Sequence, residues 1–215
     1  MIKNNKWELL VSSIVILLPI VFGLVFWNEL PEQMTTHWGF DGEADGWSNR
    51  YFAVFALPIF ILLIHWLCIF FTSLDPKNKN QNNEIFSIVI WITPIVSLVA
   101  NGAVYAVSLG KEFSPYVITT LLIGITFVSI GKYLPKCKQN YTIGIKVKWT
   151  LENEENWNAT HRFAGKLWVI GGLMILACTF LPKVIIPWIV LISIMILVIV
   201  PVIYSYLYYK KQVQA

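Results

Sequence analysis

The chain has 215 residues, of which 57% are hydrophobic, 15% aromatic and only 13% charged, with a formal net charge of +4. Soluble domains carry about 25% charged residues, so this composition excludes an ordinary water-soluble globule, a disordered chain and a collagen-like fibre. Its cations sit at the flanks of apolar runs and form no water-facing basic patch, which argues against direct nucleic-acid binding.

A helix crosses a bilayer with about 20 apolar residues. Six such windows lie along the chain, at 9–27, 51–73, 85–107, 116–134, 163–181 and 184–207. They predict an all-α integral membrane protein: a six-helix transmembrane bundle in a single membrane domain, 1–215. The first window has a basic start but ends Phe22-Gly23-Leu24-Val25-Phe26-Trp27, without a small-residue cleavage pattern, and reads as a retained helix. With the amino terminus in the cytoplasm, Lys3, Lys6, Lys77, Lys79, Lys132, Lys136, Lys138, Lys146, Lys148, Arg162, Lys166, Lys210 and Lys211 lie inside, and Arg50, Lys111 and Lys183 outside. This positive-inside bias places both termini in the cytoplasm. Cys68, Cys137 and Cys178 are an odd set that offers no external disulfide framework, and they read as reduced structural thiols.

The first connection, 28–50, is an extracellular loop with acids at Glu29, Glu32, Asp41, Glu43 and Asp45 against a lone base, Arg50. Asp41-Gly42 and Asp45-Gly46 both read as turns, so the loop is expected to be folded. Trp27, Trp38, Phe40, Trp47 and Tyr51 bracket it with rings suited to the headgroup region or to contact with a partner. His37, Trp38, Asp41, Gly42, Glu43, Asp45, Gly46 and Trp47 are the candidate ligand contacts. Asp41, Glu43 and Asp45 begin like a calcium loop, but its twelfth position falls on Phe52, and His37 stands alone. Neither a metal nor a cofactor is expected.

In the second span, His65 reads as polar glue between helices. The loop from Leu74 to Glu84 reads as a hydrated connector with little to recognise. In the third span, Pro94, Ser97, Asn101 and Tyr105 share a face and again read as interhelical glue.

The cytoplasmic segment 135–162 alternates from Tyr141 to Trp149, with Ile143, Ile145 and Val147 on one side and Lys146 and Lys148 on the other. That period predicts a strand. Thr150 then reads as the cap of a short helix running to Arg162, with Glu152, Glu154 and Glu155 early and His161 and Arg162 late, as the helix dipole favours. Neither Asn-X-Thr match, Asn140 to Thr142 or Asn158 to Thr160, is expected to carry glycan on the cytoplasmic side. No nucleophile and base pair or His-Glu-X-X-His helix is present, so catalysis is not expected.

Two groups of residues resemble the SdpI family of bacterial multi-pass membrane proteins, whose namesake confers immunity to a secreted sporulation-delaying peptide toxin. The outer loop resembles the family through Leu30-Pro31, Thr36-His37-Trp38, Gly42 and Asp45-Gly46-Trp47-Ser48. The inner segment does so through Gly131-Lys132-Tyr133-Leu134-Pro135, Asn140-Tyr141, Ile143-Gly144-Ile145-Lys146, Trp149-Thr150-Leu151, Trp157 and Thr160-His161-Arg162. Thr35, Arg50 and Lys146 depart from the family's usual proline, lysine and arginine. The resemblance implies a membrane immunity protein that binds or sequesters a peptide toxin or bacteriocin at the bilayer. It also implies a second partner, a cytoplasmic repressor, at a docking or structural motif comprising Asn140, Gly144, Ile145, Lys146, Trp149, Thr150, Trp157, Thr160, His161 and Arg162. The alternatives are a membrane signalling protein that docks a regulator without binding toxin, and a small transporter, which the scarcity of intramembrane charge disfavours.

Overall fold

The computed structural model describes residues 2–112 and 114–214. It is mostly helical, with α1 (Lys6–Val25), α2 (Leu57–Leu74), α3 (Asn83–Ser108), α4 (Pro115–Tyr133), α5 (Lys148–Glu152), α6 (Glu154–Ala177) and α7 (Ile186–Gln214). Six helices are long and apolar enough to cross a membrane, and α5 is the short exception. A two-stranded antiparallel sheet, β1 (Gln33–Trp38) and β2 (Ala44–Asn49), folds the connection between α1 and α2. A π-helical turn, Phe52–Ala56, precedes α2 and lies just before Pro58, whose missing N–H and ring disturb the regular ladder at that point.

The chain divides into two compact units, residues 1–70 with 89–122, and residues 71–88 with 123–215. In the first unit, polar side chains stitch the apolar helices together. Ser12 Oγ donates to Leu9 O and receives His65 Nε2 at 3.1 Å, joining α1 to α2. Ser97 Oγ donates to Ile16 O at 3.1 Å, and Tyr105 Oη donates to Pro19 O at 2.7 Å, joining α3 to α1. In hydrocarbon no water competes for these groups, so His65, Ser97 and Tyr105 have each found an oxygen on a neighbouring helix. Asn101 differs: its amide donates within its own helix, to Ser97 O. Gly23 permits the close approach, because a Cβ there would lie 2.6 Å from Val54 Cγ1 and 2.8 Å from Tyr105 Oη.

In the second unit, α4 and α6 meet backbone to backbone at two levels. A Cβ on Gly131 would lie 2.9 Å from Gly165 O, and one on Gly172 would lie 2.8 Å from Gly124 O. This is the small-residue packing that membrane helices use in place of a hydrophobic drive. Trp168 Nε1 donates to Leu197 O at 2.7 Å, and Phe163 stacks on Tyr204 at 4.3 Å, fixing α6 on α7.

Two expectations for 135–162 are corrected. No strand forms at Tyr141 to Trp149: the backbone bends through 141–144, runs extended to Val147 and enters α5 at Lys148. A lone strand has no partner for its ladder, and side chains take its N–H groups instead. Thr150 does not cap a short helix to Arg162. It lies within α5, while Asn153 caps α6 by accepting from Asn156 N at 2.8 Å, and α6 continues unbroken to Ala177.

Candidate functional site in two connecting segments

The hairpin starts from its turn. Gly42 N donates to Gly39 O, Glu43 N donates to Asp41 Oδ1, and Gly42 takes φ 77°, a conformation that glycine adopts without strain. The Asp41-Gly42 turn is therefore where it was expected. Asp45-Gly46 is not a turn: it lies within β2, opposite His37, and a Cβ on Gly46 would lie 2.8 Å from His37 Cβ. Pairing runs Gln33 with Asn49, Met34 with Ser48 and Thr35 with Trp47, then shifts around His37.

Three contacts hold the hairpin down. Met34 and Leu30 are buried with Ala53, Val54, Val104 and Tyr105. Arg50 Nη1 donates to Trp27 O and Leu30 O, and its guanidinium lies 4.4 Å from the centre of the Trp27 ring. Tyr116 Oη donates to Phe40 O, and its ring fills the space that a side chain at Gly42 would need. Arg50 and Tyr116 were not singled out as site residues. Arg50 was visible as the loop's lone cation, whereas nothing local in the sequence marks Tyr116.

The candidate contacts then separate. His37, Asp41, Glu43, Asp45 and Trp47 are exposed on the hairpin, together with Phe40. His37 Nδ1 and Asp45 Oδ1 form an exposed pair. Trp38 is half-buried against the cluster of Leu30 and Met34, so part of its surface is spent on the fold. Gly42 and Gly46 shape the backbone.

The second segment is a polar knot built on Asn140, which is fully buried. Its Oδ1 accepts Thr142 N at 2.8 Å and Ile143 N at 2.6 Å, while Nδ2 donates to Lys138 O and Ile143 O, both at 2.9 Å. Asp75 accepts Tyr141 N at 2.6 Å and Lys77 N at 3.0 Å. Asn78 Nδ2 donates to Thr72 O and Thr142 Oγ1, and Gln81 clasps both backbone groups of Lys138. The loop from Leu74 to Glu84, expected to be a bland connector, thus supplies part of the knot's polar partners. The missed signal was Asp75, an acid before a proline in an otherwise cationic stretch.

Gly144 takes φ 111° beneath the stacked rings of Trp157 and His161, whose centroids are 4.0 Å apart. A Cβ at Gly144 would overlap His161 Nε2. His161 Nδ1 donates to Trp157 O at 2.7 Å, which leaves Nε2 to accept Ile145 N at 3.0 Å and specifies the neutral ring. Trp157 Nε1 donates to Cys137 O at 2.7 Å. Burial pushes the Cys137 thiol up to about 11. Thr150 Oγ1 accepts Val147 N; Thr160 donates to Asn156, which in turn donates to Ser205 O; Trp149 Nε1 donates to Ser205 Oγ at 2.6 Å. Asn140, Thr150, Trp157, Thr160 and His161 are buried, Ile145 is half-buried, and Lys146 and Arg162 remain exposed. Among the described residues no group of His, Cys, Asp or Glu is placed to hold a metal ion.

Residues 136–205, which begin at the knot and run into α7, match the model of the SdpI/YfhL protein family. The chain is 26% identical over 209 residues to Immunity protein SdpI of Bacillus subtilis (strain 168), covering 94% of this chain and 96% of that protein. Both matches make the chain similar to the SdpI/YfhL family. Residues 14–62, comprising most of α1, the hairpin and the start of α2, also match a domain of unknown function, DUF1648. No solved structure matches the chain. The six apolar helices and the similarity to Immunity protein SdpI support a multi-pass membrane protein.

Proposed function

We propose that this chain is an integral membrane immunity protein, which protects its cell from a secreted peptide toxin by binding or sequestering it at the bilayer. The observation that carries the reading is the similarity to Immunity protein SdpI along nearly the whole of both chains. In this reading both termini are cytoplasmic, as the distribution of lysine and arginine indicates, so the hairpin is outside and the knot inside. The hairpin presents Asp41, Glu43 and Asp45 beside the exposed rings of Phe40 and Trp47. Acids next to flat apolar surface suit a cationic amphipathic peptide: the charge steers its approach and the rings supply contact area. Expression in toxin-sensitive cells tests this directly. Survival that depends on the exposed hairpin residues is the expected result, and unchanged killing by each related peptide toxin would defeat the proposal.

A second role is favoured by Lys146, Lys148 and Arg162, three exposed cations in or next to the knot. These cations would supply charge for docking a cytoplasmic regulator. Pull-down of such a regulator by the full chain, lost when these three are reversed in charge, is the corresponding test.

A further inference from the structure

A groove of about 690 Å³ runs between α1 and α3. Its walls are Leu18, Phe22 and Phe26 on one side and Leu98 and Ala106 on the other, with Gly102 leaving the α3 wall open. The volume falls within the roughly 300–1,000 Å³ of small-molecule sites. The groove is not closed over by protein: Phe22 is 41% and Leu98 42% exposed. Nothing inside it asks for a polar ligand, because the Tyr105 hydroxyl is already spent on Pro19 O.

Length and charge decide the occupant. At 1.5 Å per residue, the α3 wall from Leu98 to Leu109 extends about 16 Å, close to half of a hydrocarbon core roughly 30 Å thick. That is the depth of one leaflet. Lys111 stands at the end of the wall, its backbone fixed by the donation of Lys111 N to Ala106 O across Gly110, which takes φ 71°. Its side chain is exposed and has no hydrogen-bond or ion-pair partner among the described residues. An apolar channel one leaflet deep with a single free ammonium at its mouth matches a chain of methylenes under a phosphate.

We propose that this groove binds one acyl chain of an anionic phospholipid, with the phosphate paired to Lys111. The site depends only on the helices spanning a bilayer, not on toxin binding or on which way the termini face.

The test compares the wild-type chain with Gly102→Leu and Lys111→Gln in mixed phosphatidylglycerol and phosphatidylcholine micelles, counting retained lipids by native mass spectrometry. Gly102→Ala serves as the control, because a Cβ there meets nothing within 4 Å. The wild type and the control should retain phosphatidylglycerol with about a fivefold preference, the factor that one lysine contributes near an anionic surface. Lys111→Gln should bring the preference to parity while keeping a lipid, and Gly102→Leu should lose the lipid of either kind. Glycerol phosphate, which lacks the chain, should displace nothing. Unchanged lipid number in Gly102→Leu, or an unchanged preference in Lys111→Gln, overturns the proposal. So does a wild-type dimer that Gly102→Leu converts to monomer with no change in lipid, which would assign the groove to a second copy.

Discussion

In the hairpin, backbone pairs with backbone, Thr35 against Trp47 and His37 against Gly46, and the side chains of Asp41, Glu43, Asp45 and Trp47 are released to the surface. In the knot, the N–H groups of Tyr141, Thr142, Ile143, Ile145 and Val147 are taken by Asp75, Asn140, His161 and Thr150, so those side chains are used up in holding the chain. The difference separates the two segments by how freely they can be altered. A backbone ladder tolerates changes on its open face, whereas a buried side chain that replaces a ladder cannot be lost without stranding the groups it served.

That contrast gives a graded series of outcomes. Gly144→Ala should be the most damaging, by about 4 kcal/mol, since it combines an unfavourable φ with a collision against His161; the loss would be read as folded protein recovered in mild detergent. Asn140→Ala strands two buried N–H groups and two carbonyls, and should cost about 3 kcal/mol in thermal or denaturant unfolding. A thiol raised to about 11 by burial favours the folded state while it stays protonated. This contribution is complete below pH 9, the usual thiol range, and is lost as pH rises towards 11. Maleimide labelling of Cys137 at pH 8 should therefore wait for unfolding; prompt labelling would show the knot to be open. Trp149→Phe removes one hydrogen bond to Ser205 and should cost about 1 kcal/mol.

The smallest effect on folding belongs to the hairpin. Replacing Asp41, Glu43 and Asp45 by Asn or Gln should change stability by less than about 0.5 kcal/mol. If acids steer a cationic toxin, protection should nevertheless weaken, most clearly at low salt where screening is least. A large stability loss in this variant, or an innocuous Asn140→Ala, would dissolve the distinction between the two segments.

The six apolar helices were legible because length and hydrophobicity alone announce them, and Ser97, Tyr105 and His65 were legible as glue because hydrocarbon leaves a polar group few choices. The Asp41-Gly42 turn could be read from local chemistry. Asp45-Gly46 could not, because the same dipeptide suits a strand when the residue opposite needs the space, and that residue is His37. The alternation from Tyr141 to Trp149 was genuine but misleading: Lys146 and Lys148 do face outward, yet among the described residues no strand pairs with this segment. Besides the nearby Asn140 and Thr150, its partners come from Asp75 and Asn78, more than sixty residues earlier in the chain, and from His161 on α6. Side-chain bonds across such separations leave no periodic mark. Tyr116 under Gly42 was hidden for the same reason.

Arg50 turns inward, onto Trp27 O and Leu30 O, while Asp41, Glu43 and Asp45 stay outward. A two-stranded ribbon has two unpaired margins, each a template for addition of a further strand from a neighbouring molecule. The exposed carboxylates at the turn end put like charge on every copy, which disfavours such addition there. The same carboxylates proposed to draw in a peptide would then also work against ribbon-to-ribbon pairing of identical molecules.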